Sequence, residues 1–209
     1  MGFYPIFFDL NRRRCVVFGG GAVAERRVEG LLASGADLTL ISPVVTDRLK
    51  ELAAQGAIRY LERGYEPGDL AGFELVFVAT DDGAVNLAVF SEARSRAIWV
   101  NSADDPGNCD FILPAVIRRG DLSIAISTGG ASPAATRMIR EELEEYFTAD
   151  YARLVQIAGE VRRSLRDKSI VASPRAWNEA LTGEFRRLVK EDQTARAKEL
   201  LLKTLGADT

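Results

Sequence analysis

Six consecutive residues, Gly19-Gly20-Gly21-Ala22-Val23-Ala24, carry the spacing G-x-G-x-x-A. They directly follow a short β-type run, Arg14–Phe18 (RCVVF), and open a segment with helical periodicity. The chemistry that this suits is phosphate binding. Gly19 permits a tight turn, Gly21 lets a pyrophosphate approach the main chain, and Ala24 lets helix and strand pack closely. The helix N-terminus then offers unpaired N–H groups and a positive partial charge to the anion. Glycines serve many turns, so the motif alone is weak. Its strand–turn–helix context favours dinucleotide binding over a purely structural turn.

Two further clusters follow apolar runs. Leu75–Ala79 (LVFVA) leads into Thr80-Asp81-Asp82, which places Thr80 to touch a cofactor; helix capping is the favoured role for Asp82. Ile98–Val100 leads into Asn101-Ser102-Ala103-Asp104-Asp105-Pro106, with Cys109 and Asp110 close behind. From spacing alone, an Asx-type turn before Pro106 and a functional carboxylate remain equally open.

The chain of 209 residues contains no histidine. That excludes Ser-His-Asp and Cys-His pairs, histidine zinc sites and imidazole proton shuttles. Acid–base work falls to carboxylates, Tyr, Lys, Cys or water, and no protein metal site is expected. One part of the dinucleotide fingerprint is missing. The acid that should end the second strand is absent, because Asp37 lies at the beginning of Leu38–Ile41 and Ser42-Pro43-Val44 ends it. No arginine stands there for a 2′-phosphate either. The ribose is left to backbone groups, Ser42 or Thr46, and the balance leans to NAD over NADP.

The elements that must position these residues alternate. Strand-like runs at 14–18, 38–41, 58–61, 75–79 and 98–100 are separated by helical spacing at 22–34, 45–55 and 85–96. In the first helix Val23, Arg27, Gly30 and Leu31 form the predicted stripe. Such alternation implies a parallel sheet covered on both faces. The pattern then changes to a hairpin, with strands at 111–117 and 122–127. Pro114 argues for an edge or a bulge in the first of them. Ser132-Pro133 opens a helix running to about Phe147, and helices at 151–166, 174–190 and onward to about Leu205 complete the chain. The fold class is therefore α/β in the first part and helical in the last. The predicted domains are 1–110, 111–148 and 149–209.

Hydrophobic residues make up 47% and charged residues 27%, with a net charge of −3, which fits a globular protein and gives no reason to expect nucleic-acid binding. Residues 1–150 carry net −7 and residues 151–209 net +4. Cys15 and Cys109 form no C-x-x-C pair. No signal peptide and no apolar run of about 18 residues is present, so no membrane association and a cytoplasmic location are expected.

Several motifs occur in one order: Pro5-Ile6-Phe7, Gly19 to Arg26 (GGGAVAER), Ala79 to Asp82 (ATDD), Asn86, Asn101 with Asp104 and Pro106, Phe111-Ile112-Leu113-Pro114, and Ser127 to Pro133 (STGGASP). The set closely resembles the siroheme synthase N-terminal region, the precorrin-2 dehydrogenase/sirohydrochlorin ferrochelatase family. The resemblance holds through about residue 147, and the helical tail is less specific. No methyltransferase segment follows, so the likeness is to the free-standing form. It implies a Rossmann-type domain, NAD-dependent oxidation of precorrin-2 to sirohydrochlorin, and, in bifunctional members, insertion of ferrous iron as a co-substrate. It also implies a homodimer built through the hairpin and the helix after it. The family's catalytic aspartate falls on Asp104. Its nucleotide contacts fall on the glycine turn (Gly19 and Gly21) with Ala22 and Val23, on Pro43 and Val44, and near Thr80. The family's Ser-Ser-Gly-Gly departs here to Ser127-Thr128-Gly129-Gly130, which keeps a hydroxyl.

A tetrapyrrole with eight carboxylates needs local cations on an acidic domain. Arg118 and Arg119 at the hairpin, and Arg137 and Arg140 on the helix after Pro133, are the candidates. Two other classes of function stay open: an NAD-sensing module without chemistry, and a chelatase without dehydrogenase activity.

Overall fold

The computed structural model describes residues 2–103, 107 and 109–206 and divides into two compact units, Met1–Leu113 and Pro114–Thr209. The first unit is built as β1 (Arg14–Phe18), α1 (Ala22–Leu32), β2 (Asp37–Ile41), α2 (Asp47–Ala54), β3 (Arg59–Leu61), β4 (Leu75–Val78), α3 (Gly83–Ser95) and β5 (Trp99–Ser102). The five strands pair in parallel in the order β3-β2-β1-β4-β5. The chain leaves β1 toward β2 on one side and later returns to place β4 on the other. This makes the carboxyl ends of β1 and β4 the point where strand order reverses.

Both faces of the sheet are covered, so β1, β2 and β4 read as nearly continuous apolar runs instead of alternating. Cys15, Val17, Leu38, Leu40, Leu75 and Phe77 pack against α1 and α2. Val16, Phe18, Ile41, Val76 and Val78 pack against Val89 and Ala93 of α3.

The buried face of α1 is Ala24, Val28 and Leu31. The predicted stripe of Val23, Arg27, Gly30 and Leu31 is thus rotated. Ala24 is the small residue that lets the helix approach the sheet, so it faces inward and Val23 is left 38% exposed. The second helix begins at Asp47 rather than at Val45, because Thr46 keeps an extended conformation and caps it, its hydroxyl accepting from Leu49 N–H.

The second unit opens with the antiparallel hairpin β6 (Ala115–Arg119) and β7 (Leu122–Ile126). Gly120 supplies the positive φ (+56°) of its two-residue turn. The strand predicted from Phe111 starts only at Ala115. Proline has no N–H to donate to a ladder, so Pro114 precedes the strand instead of sitting in it. Phe111 packs on Phe77 in the first unit. Then come α4 (Pro133–Tyr146), capped by the Ser132 hydroxyl, α5 (Asp150–Asp167), α6 (Pro174–Ala180), α7 (Glu184–Lys190) and α8 (Thr194–Thr204). Ile157, Val161, Leu165, Phe185, Leu188, Val189 and Leu201 form its core, with Trp177 against it. The single helix predicted over 174–190 is two helices, because Gly183 takes φ +54° and ψ −120° and ends helical continuity. No helix among the described residues is long and apolar enough to cross a membrane.

The connection into β4 is held by one bidentate pair: Arg63 Nη1 and Nη2 each donate to Asp69 at 2.7 Å, and Glu66 N–H donates to the same carboxylate at 2.8 Å. The Arg63 bonds, more than the backbone one, hold the Asp69 carboxyl below the usual carboxylate range. A depressed folded pKa contributes stability above the unfolded value of about 3.9 and loses it as the pH falls through the folded value. Asp69→Asn should therefore lower the unfolding free energy by about 1–3 kcal/mol at neutral pH, with the difference from wild type shrinking below about pH 4. Urea unfolding of both proteins across that range measures it.

Candidate functional site

The residues with chemical potential gather where the strands of the first unit end. Gly19 leaves β1 with φ +110°, its N–H donating to Ile41 O at 3.1 Å. A Cβ at Gly19 would collide with the Ala79 carbonyl just beyond β4. A Cβ at Gly20 would collide with the Val44 carbonyl beyond β2, and the Gly20 carbonyl accepts from Thr46 N–H at 3.0 Å. The turn is thereby wedged between the ends of both neighbouring strands. Gly21 differs: a Cβ there meets nothing within 4 Å. Gly21 is the N-cap of α1, and no side chain caps that end. Helix geometry leaves the N–H groups of Ala22, Val23 and Ala24 without intrahelical acceptors. Open space in front of free donors at a positive helix end fits a pyrophosphate.

Beyond β2, the hydroxyls predicted for the ribose are already engaged. Ser42 is buried, donating from Oγ to Val44 O at 2.7 Å, while Tyr60 O–H donates to Ser42 O at 3.0 Å. Thr46 Oγ1 donates to Glu25 Oε2 at 2.5 Å and accepts from Leu49 N–H at 3.3 Å. The surface presented here is that of Pro43 and Val44, the latter 75% exposed. Glu25 brings a carboxylate to the end of β2 from α1, on the neighbouring element, where the sequence of β2 itself offers none.

Beyond β4, Thr80 and Asn86 lock each other. Thr80 Oγ1 donates to Asn86 Oδ1 at 2.6 Å and Asn86 Nδ2 donates back to Thr80 O at 3.0 Å. Asp82 caps α3, accepting from the N–H groups of Ala84 and Val85.

Beyond β5, residues 109–111 are laced to the strand. Cys109 Sγ accepts from Ser102 N–H at 3.1 Å and donates to Ser102 O at 3.3 Å. Asp110 accepts from Val100 N–H at 2.9 Å. Buried Asn101 donates to Phe111 O at 2.9 Å. Asp104 lies outside the described residues. Of the two cysteines, Cys15 is a core residue whose thiol burial pushes up to about 11.

Gly19, Gly21, Ala22, Val23, Pro43, Val44 and Thr80 thus come together at one edge of one sheet. The predicted substrate arginines do not form one patch. Arg119 Nε donates to Phe147 O at 2.8 Å at the C-terminal end of α4, with Arg118 beside it on β6. Arg140 is paired with Glu144 at 2.6 Å, and Arg137 is exposed one turn earlier on α4. At 1.5 Å of rise per residue, Arg137 stands about 15 Å along the axis from Phe147.

Arg27 was not predicted as a site residue. It is half-buried beside the packed stripe of α1, and burial pushes its guanidinium pKa down. The signal was present in the sequence, since a charged residue fell on the stripe predicted to pack.

Comparison with known proteins agrees with this geometry. A family described as NAD(P)-binding matches residues 6–115, and one described as sirohaem biosynthesis protein central matches residues 119–146. The chain is 37% identical over 203 residues to siroheme synthase 1 of Serratia proteamaculans, covering 96% of this chain and 43% of that protein. It is 37% identical over 215 residues to the siroheme synthase of Nitrosospira multiformis, covering 100% of this chain and 46% of that protein. The chain therefore spans somewhat under half the length of these curated relatives. Among solved structures it is similar to SirC, a precorrin-2 dehydrogenase, with TM-score 0.75, 32% identity, and coverage of 94% of this chain and 99% of that one.

Gly20 and Gly21 should respond differently to an added methyl group. Gly20→Ala should destabilise the fold, because its Cβ has no room. Gly21→Ala should unfold like wild type yet bind NADH about tenfold or more weakly, because its methyl occupies the space in front of the donors. Thermal unfolding and NADH fluorescence titration of both variants measure this.

Proposed function

This chain belongs to the siroheme-biosynthesis family that includes the siroheme synthases and SirC, and from that membership we propose that it oxidises precorrin-2 to sirohydrochlorin with NAD. The observation that carries the reading is the wedged glycine turn with open space at Gly21, placed where strand order reverses. The N–H groups of Ala22 and Val23 take the pyrophosphate. Gly19 sets their position, and Pro43 and Val44 border the adenosine. The Glu25 carboxylate beside them, with no basic residue in 42–47, favours NAD over its 2′-phosphorylated form. Thr80, fixed by Asn86, lies on the nicotinamide side. A bound nicotinamide supplies the hydride acceptor.

The chain's own part in the reaction is orientation and charge. Asp104, two residues after Ser102 in sequence, stabilises positive charge developing on the macrocycle and receives the proton that leaves. Arg118, Arg119, Arg137 and Arg140 are proposed as contacts for substrate carboxylates on the second unit. Ferrous iron enters as a second substrate, held by the pyrrole nitrogens of sirohydrochlorin, with Asp104 receiving the displaced protons. The hairpin and α4 are proposed to join two copies of the chain. In support, none of the 14 residues of α4 is buried, and Val116, Met138 and Tyr146 are exposed apolar side chains on this segment.

Supplied with precorrin-2 and NAD without oxygen, the protein should produce sirohydrochlorin absorbance and NADH in equal amounts. Folded protein that binds NADH but turns over nothing refutes the reading. Asp104→Ala should cut turnover by about a hundredfold or more, the usual scale of a lost acid–base group, with NADH affinity unchanged. A near-wild-type rate would remove Asp104 from the chemistry.

A further inference from the structure

Each residue turns a helix by about 100°, so Glu25 and Arg27 project from α1 about 200° apart. Ala24 and Val28, packed on the sheet, lie between them on the inner side. Glu25 faces α2, where Thr46 holds its carboxylate. Arg27 therefore faces the opposite flank, over β4 and toward β5. Residues 109–111 close that flank. Phe111 stands edge-on to Phe77 of β4 with ring centroids 5.7 Å apart, and the Cys109 sulfur is fastened to Ser102 at the end of β5. Helical side chains lean toward the N-terminus of their helix. Arg27 is thus carried toward the carboxyl edge of the sheet, on the side of Cys109.

Arg63, the other half-buried arginine of this unit, has the Asp69 carboxylate. Arg27 is half-buried and makes no hydrogen bond or ion pair with a described residue. Holding a cation partly out of water without a partner costs free energy, and desolvation lowers its pKa accordingly. A guanidinium kept in that state at a ligand-binding edge is suited to an incoming anion. The pyrophosphate has its own donors in the first turn of α1, and Arg27 faces away from the adenosine flank.

We propose that Arg27 binds a carboxylate of the tetrapyrrole substrate on the flank of α1 that faces residues 109–111. This rests on the precorrin-2 reading and adds to it a substrate contact on the nucleotide-binding unit. The planar guanidinium can take an acetate or propionate side chain through two parallel N–H···O bonds. The macrocycle would then lie at the β4–β5 end, beside the nicotinamide side of the cofactor seat.

The test is a pair of titrations on wild type, Arg27→Gln, Arg27→Met and Arg27→Lys. Sirohydrochlorin binding is followed by absorbance and NADH binding by fluorescence. The glutamine and methionine variants should bind sirohydrochlorin about tenfold or more weakly while NADH affinity stays within about twofold. Lysine, a point charge, should recover part of the loss. In turnover, KM for precorrin-2 should rise with kcat largely kept. Methionine preserves the apolar stem, so a packing role would leave that variant like wild type. Unchanged sirohydrochlorin affinity in either neutral variant, or an equal loss for NADH, overturns the assignment. Wild type that binds NADH but no sirohydrochlorin overturns the functional reading and this contact with it.

Discussion

Everything at the carboxyl edge of the sheet depends on how tightly three backbone segments meet around Gly19 and Gly20. The carbonyls of Ala79 and Val44 occupy the space that side chains at these two positions would need. Thr46 N–H donates to Gly20 O, and Gly19 N–H donates to Ile41 O. The turn is pinned to β2 on one side and β4 on the other. Its third glycine, with no such neighbour, opens outward. A loop built this way costs no reorganisation when a phosphate arrives, because the donors at the start of α1 are already directed and unpaired.

The same pinning sets the rotation of α1. With Ala24 turned to the sheet, Glu25 is delivered to the end of β2 and Arg27 to the β4–β5 flank. One helix thereby places a carboxylate beside the proposed adenosine seat and a cation beside the proposed substrate contact. The chain contains no imidazole, so this division of charge matters. In the proposed reaction the cofactor carries the redox step and the macrocycle brings its own metal-binding nitrogens. What would remain for the protein there is to hold two anionic ligands in register and to supply a carboxylate where positive charge develops.

Much of the fold was legible in the sequence. Short apolar runs between helical periods announced a parallel sheet buried on both faces, and the glycine spacing located the open, uncapped N-terminus of α1 beside it. What sequence periodicity does not report is how far a helix is rotated about its axis. Ala24, small enough for close packing, displaced the expected stripe by one position and left Arg27 beside the packed face instead of in it. Hydroxyl chemistry misled for a related reason. Ser42 and Thr46 looked available because sequence does not show that Val44 O, Glu25 and Leu49 N–H already engage them. The acid absent from the end of β2 is absent from that strand in sequence, and a carboxylate reaches the place from α1 instead, where Thr46 holds Glu25. Pro114 and Gly183 mark the two places where an apolar pattern ran on through a backbone that could not follow it.

A crystal structure of the protein with NAD tests the central claim most directly. The account predicts the pyrophosphate against Gly21, its oxygens about 3 Å from the N–H groups of Ala22 and Val23, with the adenosine by Pro43 and Val44 and the nicotinamide beyond Thr80. A dinucleotide bound away from the glycine turn, or one whose nicotinamide lies on the β2–β3 side, would contradict it.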